Sequence, residues 1–115
     1  MKTIKSSLIG IDQGDVIVFT DYRDNGPMWS ETGNREARQA VEFSDSYAEA
    51  PSVMVSVSML DVSSEANVRT EVMATNVTTK GFDIVFRTWG DTRIARARVA
   101  WQSIGELASD DAWDI

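Results

Sequence analysis

Histidine and cysteine are both absent from this chain of 115 residues. Without them there is no Ser-His-Asp triad, no cysteine nucleophile and no imidazole to move protons near neutral pH. Zinc fingers, iron–sulfur clusters and disulfide frameworks are excluded for the same reason. Positive charge is scarce as well: 11 Lys and Arg stand against 18 Asp and Glu, a net charge of −7. A surface that tracks nucleic-acid phosphates needs clustered Lys and Arg, so no nucleic-acid partner is expected. Apolar runs are only a few residues long, so no membrane insertion is expected either. The N-terminus carries Lys2 and Lys5 but no apolar stretch and no small-residue cleavage site. The sequence therefore predicts no signal peptide and a protein that is cytoplasmic as synthesised, and the missing cysteines fit a reducing compartment. These absences argue against an enzyme, a cofactor or a metal centre and for a binding or assembly module.

What is present is a pattern of strands. Hydrophobic residues make up 43% of the chain, enough for a domain of this size to fold without staples. Residues 94–104 alternate with period two: Ala95, Ala97, Val99 and Trp101 share one face, and Arg96, Arg98 and Gln102 the other. Residues 53–60 read as a strand buried for most of its length, 68–75 and 39–43 as alternating strands, and 82–87 as an apolar, β-branched run. Residues 16–19 form a short strand and 3–11 an edge strand, divided by a turn at Gly14-Asp15. No segment shows sustained helical periodicity. The predicted architecture is all-β, a sandwich or barrel spanning 1–107, with residues 108–115 (Asp110, Asp111 and Asp114 among them) as a solvated acidic tail. Turn residues at 24–27, 50–51, 80–81 and 90–91 separate the strands. The long loop over 21–34 stands out, because loops of that length in a compact domain are usually functional.

Few residues offer chemistry. Trp89 precedes Gly90-Asp91, read as a hairpin turn between two strands with glycine where positive φ is needed. Two roles are open for Trp89: stacking on the C–H face of a sugar ring, or packing beneath the 21–34 loop or at a subunit contact. Trp101, on the apolar face of its strand, reads as core. Arg69 follows the polar turn 63–66 and can offer a planar fork to hydroxyls or a carboxylate. Arg96 and Arg98 read as cross-strand or intersubunit ion pairs. Asp21, Asp24 and Asn25 sit in a loop with the composition of a calcium site, but Thr32 occupies the position of the bidentate glutamate, so a turn-forming cluster is the better reading. Asn76-Val77-Thr78 matches a glycosylation sequon, which means little without a secretory signal. No spacing singles out two carboxylates for glycoside hydrolysis.

Taken in order, several segments resemble the H-type lectin family of snail agglutinins and discoidin C-terminal domains. They are Arg35-Glu36 leading to Val41-Glu42-Phe43, then Pro51-Ser52-Val53, Leu60-Asp61-Val62, Asn67-Val68-Arg69, Gly81-Phe82, Thr88-Trp89-Gly90-Asp91-Thr92 and the closing Trp101. The resemblance covers roughly residues 15–107 and implies a six-stranded antiparallel β-sandwich. It also implies a homotrimer or a multiple of it, with calcium-independent binding of galactose or N-acetylgalactosamine-type glycans near clefts between protomers. Carried over by position, the sugar-binding arginine falls on Arg69 and the stacking tryptophan on Trp89, with Asp91 beside it. The loop that holds the sugar falls near Ser30, Glu31 and Thr32. Where the snail proteins have a histidine after the tryptophan this chain has Gly90, and their later aromatic contact is Ala95. The alternative reading from a different class is a trimeric structural or receptor-binding spike of a phage or phage-like particle.

Overall fold

A computed structural model describes residues 1–5 and 8–108; the predicted acidic tail therefore lies, apart from Ala108, outside the described residues. Six strands and two single helical turns follow one another: β1 (Ile9–Phe19), α1 (Asp21–Asp24), α2 (Pro27–Ser30), β2 (Arg35–Glu42), β3 (Ser52–Val62), β4 (Thr70–Thr75), β5 (Gly81–Thr88) and β6 (Ile94–Glu106). They form two three-stranded antiparallel sheets, β1-β6-β3 and β2-β5-β4. The all-β, six-stranded antiparallel sandwich expected from the sequence is the fold observed.

Each sheet is organised about its central strand. On β5 the alternation sends Phe82, Ile84 and Phe86 inward, all buried, while Arg87 projects outward. On β6 Ala97 and Val99 point inward and are buried, with Trp101 packed against the same core. Val53, Val55 and Val57 of β3 and Val72 and Ala74 of β4 close the core from the flanks. Aromatic packing adds to area burial: Phe19 meets Phe86 edge-on at 5.3 Å.

Several local expectations are corrected. The predicted turn at Gly14-Asp15 does not exist: β1 runs unbroken to Phe19, with Gly14 opposite Trp101 of β6. A Cβ on Gly14 would approach the Trp101 indole nitrogen to 3.0 Å. The glycine marks a close approach of ring and backbone, not a turn. Residues 3–5 are not strand. Gly90-Asp91 is not a hairpin, because β5 and β6 belong to different sheets and the chain crosses between layers there; Gly90 nonetheless has the expected positive φ, 70°. On β3, Ser52, Met54, Ser56 and Ser58 are exposed, so that strand is buried on one face only. The 68–75 strand begins at Thr70, and Val68 is exposed. The 21–34 loop contains α1 and α2, too short for helical periodicity to register.

Candidate functional site

The functional candidates gather where β1, β3 and β5 end and β2, β4 and β6 begin. Three connections meet there: residues 20–34, 63–69 and 89–93. The centre is the link after β5. Thr88 and Thr92 bracket Trp89-Gly90-Asp91, and both hydroxyls are buried. Thr88 Oγ1 donates to the Arg69 carbonyl at 2.6 Å, and the Arg69 amide donates to Thr92 Oγ1 at 3.0 Å. Thr92 Oγ1 in turn donates to the Asn67 carbonyl at 2.6 Å. The backbone of Arg69 is thus clamped to both sides of the tryptophan turn. Buried hydroxyls with satisfied bonds make such a clamp rigid.

Side chains follow from that clamp. Arg69 Nη1 lies 3.2 Å from Asp91 Oδ1, a half-exposed ion pair worth little in stability but fixing the guanidinium beside the turn. Continuing the strand register by one residue sets Trp89 between Asn34, before β2, and Arg69, before β4. Trp89 is 39% exposed. It heads a groove of about 400 Å³ on the outer face of β2-β5-β4, whose walls include Asn34, Glu36, Arg87 and Glu71. Of the six residues expected from the sequence, Arg69, Trp89 and Asp91 are therefore brought together.

Ser30, Glu31 and Thr32 are placed differently. Ser30 Oγ donates to the Gly26 carbonyl at 2.8 Å and to that of Asn25 at 3.2 Å, closing its own helical turn. Glu31 and Thr32 are exposed. Their loop reaches the tryptophan turn through its backbone, with the Gly33 amide donating to the Gly90 carbonyl at 2.8 Å. Among the described residues no hydrogen bond or ion pair joins these three side chains to Arg69, Trp89 or Asp91.

Sequence reasoning missed Arg35, 8% exposed. Its guanidinium donates to the carbonyls of Thr92 (2.7 Å), Gly33 (2.9 Å), Met28 (3.2 Å), Gly90 (3.2 Å) and Pro27 (3.4 Å). Five carbonyls from two loops are tied to one cation, a use that suits the rigid fork of arginine. It also missed Tyr22 and Arg93. Tyr22, 65% exposed, meets Trp29 edge-on at 5.0 Å. The Arg93 guanidinium stands 4.3 Å from the Trp29 ring centre while its Nε donates to the Trp29 carbonyl at 3.0 Å. Arg35 stood in the family pattern, but only tertiary contact gives it, Tyr22 and Arg93 these roles, and no local signal marks them.

The turn-forming reading of the Asp21 cluster has a positive basis. Asp21 Oδ2 accepts from the Met28 amide at 2.9 Å, and Asp24 Oδ2 accepts from the Thr20 hydroxyl at 3.1 Å. Arg96 pairs across strands with Asp61 at 3.4 Å, and Arg98 Nε donates to Ser58 Oγ at 3.2 Å.

Compared with known proteins, the chain matches the H-type lectin domain over residues 38–104. It is 45% identical over 107 residues to a Fuscovulum blasticum protein called ATP synthase subunits region ORF 7, covering 93% of each. With one of the discoidin-1 polypeptides of Dictyostelium discoideum it shares 34% identity over 76 residues, 65% of this chain and 30% of that protein. Among solved structures, discoidin II of the same organism superimposes with a TM-score of 0.75 at 25% identity, over 90% of this chain and 40% of that one. The tailspike protein gp49 of Pseudomonas phage LKA1 is alike in fold alone, with a TM-score of 0.55 at 16% identity over 87% of this chain and 15% of that one.

Proposed function

The chain belongs to the H-type lectin domain family, and on that premise we propose that it binds galactose or N-acetylgalactosamine-type glycans without calcium, as a homotrimer. The family is one of carbohydrate-binding domains, not of enzymes. The observation that carries the proposal is the partly exposed indole of Trp89 set beside a guanidinium whose backbone two buried threonines clamp. An aromatic face next to a fixed planar donor is what a pyranose needs: stacking for its C–H face and hydrogen bonds for adjacent hydroxyls. In this reading Trp89 stacks on the ring, Arg69 donates to hydroxyl oxygens and Asp91 accepts from a hydroxyl. Ser30, Glu31 and Thr32 contribute from the neighbouring loop, or from a neighbouring protomer. Three sites on one particle multiply a weak single affinity on a polyvalent surface.

Gly90 and Ala95 stand where the snail proteins present a histidine and an aromatic contact. Each missing hydrogen bond or stacking contact is worth about 1 kcal/mol, so single-site affinity is expected to be modest. The test is a glycan array on the full chain with and without chelator, repeated on Arg69→Ala, with light scattering of both proteins. Signal on galactose-type glycans that survives chelation and falls at least about tenfold in Arg69→Ala supports the proposal. A blank array from a protein that scatters as a trimer would turn the reading to the structural spike. A monomer in solution would remove the avidity on which both readings depend.

A further inference from the structure

Outside the residues assigned above, the groove beneath Trp89 is the strongest unexplained feature. Alternation along β5 turns Thr88 inward and sends Arg87 and Trp89 to the same outer face. Register places Glu36 of β2 and Glu71 of β4 on either side of Arg87. The side chains make the same row. Arg87 Nε donates to Glu36 Oε1 at 2.9 Å, and Arg87 Nη1 lies 3.6 Å from Glu71 Oε1. All three are half-exposed and face the groove that Trp89 heads.

We infer that this groove is a second glycan subsite, taking the neutral hexose next to the sugar held at Arg69 and Trp89, with Glu36, Arg87 and Glu71 reading its hydroxyls. The inference rests on the proposed lectin reading and names the length and charge class of its ligand. Three properties lead to it. The groove, at about 400 Å³, falls within the range of small-molecule sites and begins at the exposed indole. Its floor alternates acceptor, donor, acceptor across three adjacent strands, which suits the mixed donor and acceptor character of vicinal hydroxyls. The Arg87 hydrogen bond, with Arg38 nearby and in spite of some desolvation, holds the Glu36 carboxyl below the usual carboxylate range, so at neutral pH it only accepts.

Charge then selects the ligand class. Two carboxylates flank the single arginine of the row, and Arg38, 3.6 Å from Glu36, is drawn toward Asp83 at 3.4 Å as well. An anionic sugar would meet both carboxylates with Arg87 as the available cation, because the other arginine lining the groove, Arg35, is 8% exposed and its guanidinium is committed to five carbonyls. A neutral hexose or N-acetylhexosamine meets none. Solvent-exposed ion pairs contribute little to stability, so Glu→Gln substitutions here should leave the fold intact.

The test is calorimetric titration of the wild-type chain with methyl N-acetylgalactosaminide and methyl galactoside. The same titration is run with neutral disaccharides carrying either sugar at each end, and with a sialylated counterpart. Expected is a gain of about tenfold for a neutral disaccharide over its monosaccharide, one or two hydrogen bonds' worth, and no gain for the sialylated one. In Glu36→Gln and Glu71→Gln the disaccharide should fall to the monosaccharide level while monosaccharide affinity stays within about twofold. A wild type that binds monosaccharide and disaccharide equally overturns the subsite alone. A wild type that binds neither overturns the lectin reading and the subsite with it. A Glu71→Gln protein whose light-scattering mass falls would show the row to be an assembly contact, and the inference would fail on that result too.

Discussion

At the end of the sandwich opposite the groove, four aromatic rings close the core. Phe43 stacks on Phe82 at 5.7 Å and meets Tyr47 edge-on at 5.1 Å, and Trp101 reaches both Phe43 and Phe82. The Tyr47 hydroxyl joins Ser103 Oγ at 2.8 Å in the same interior. At the groove end the loops are held instead by backbone carbonyls converging on Arg35 and by the hydroxyls of Thr88 and Thr92. The difference is instructive. Loops closed by packing turn their largest side chains inward, whereas loops tied by their carbonyls leave Trp89, Arg69 and Asp91 facing outward. The binding proposed for the groove end needs the second arrangement, because order and available side chains are otherwise in conflict.

The comparison can be broken in four places. Phe82→Ala should cost about 3–5 kcal/mol in urea denaturation and leave quenching of Trp89 unchanged, read as the difference from a matching Trp89→Phe protein because Trp101 touches Phe82 directly; altered Trp89 quenching would show that the two ends are not separable. Arg35→Met should cost about 2–3 kcal/mol by leaving buried carbonyls unpaired. Unlike Phe82→Ala, it should also change the Trp89 emission spectrum and abolish array binding. Gly90→Ala forces a side chain to φ 70° and should cost about 1 kcal/mol. The added Cβ would stand 3.6 Å from Arg69 Nη1, so crowding should contribute little to the loss, and a lowered thermal midpoint reads it.

The smallest effect belongs to Asp12, at the aromatic end. The Ser44 amide donates to Asp12 Oδ2 at 2.8 Å and holds that carboxyl below its ordinary 3.8, partly offset by desolvation. Its contribution is therefore fully present above pH 3.8 and lost as pH falls through the lower folded-state value. Asp12→Asn should flatten that acid limb of the stability curve without altering the groove. An unchanged limb would show that the Ser44 bond does not hold in solution.

How much of this was legible beforehand depends on the range of the interaction involved. The β5 and β6 strands were readable because period-two alternation is local, and residues such as Phe82, Ile84, Ala97 and Val99 carry it in their own order. Gly14 misled because a glycine beside an aspartate carries the same signature in a turn as at a close approach; only Trp101, far along the chain, tells the two apart. Gly90-Asp91 misled similarly, since a change of sheet and a hairpin need the same local backbone. Trp89 and Arg69 stood out as a tryptophan and an arginine beside polar turns, and the family pattern then pointed to the same two positions, with Asp91 beside Trp89. Thr88 and Thr92 lay within that same pattern, but their hydroxyls gain a role only when Arg69 and Asn67 come within bonding distance.

By itself, the sequence determined the all-β class, the inward faces of the central strands, and a chain without imidazole or thiol chemistry. Those are properties of composition and short-range alternation, and they need no partner elsewhere in the chain. The tertiary structure alone decided that β5 and β6 lie in different layers, that Arg35 is a buried tie and not a surface charge, and that Glu36, Arg87 and Glu71 form one row beneath Trp89. Each of these depends on residues distant in sequence meeting across a sheet or between loops. The free energy that selects them, burial of apolar surface together with satisfaction of buried polar groups, belongs to the folded whole and not to any segment.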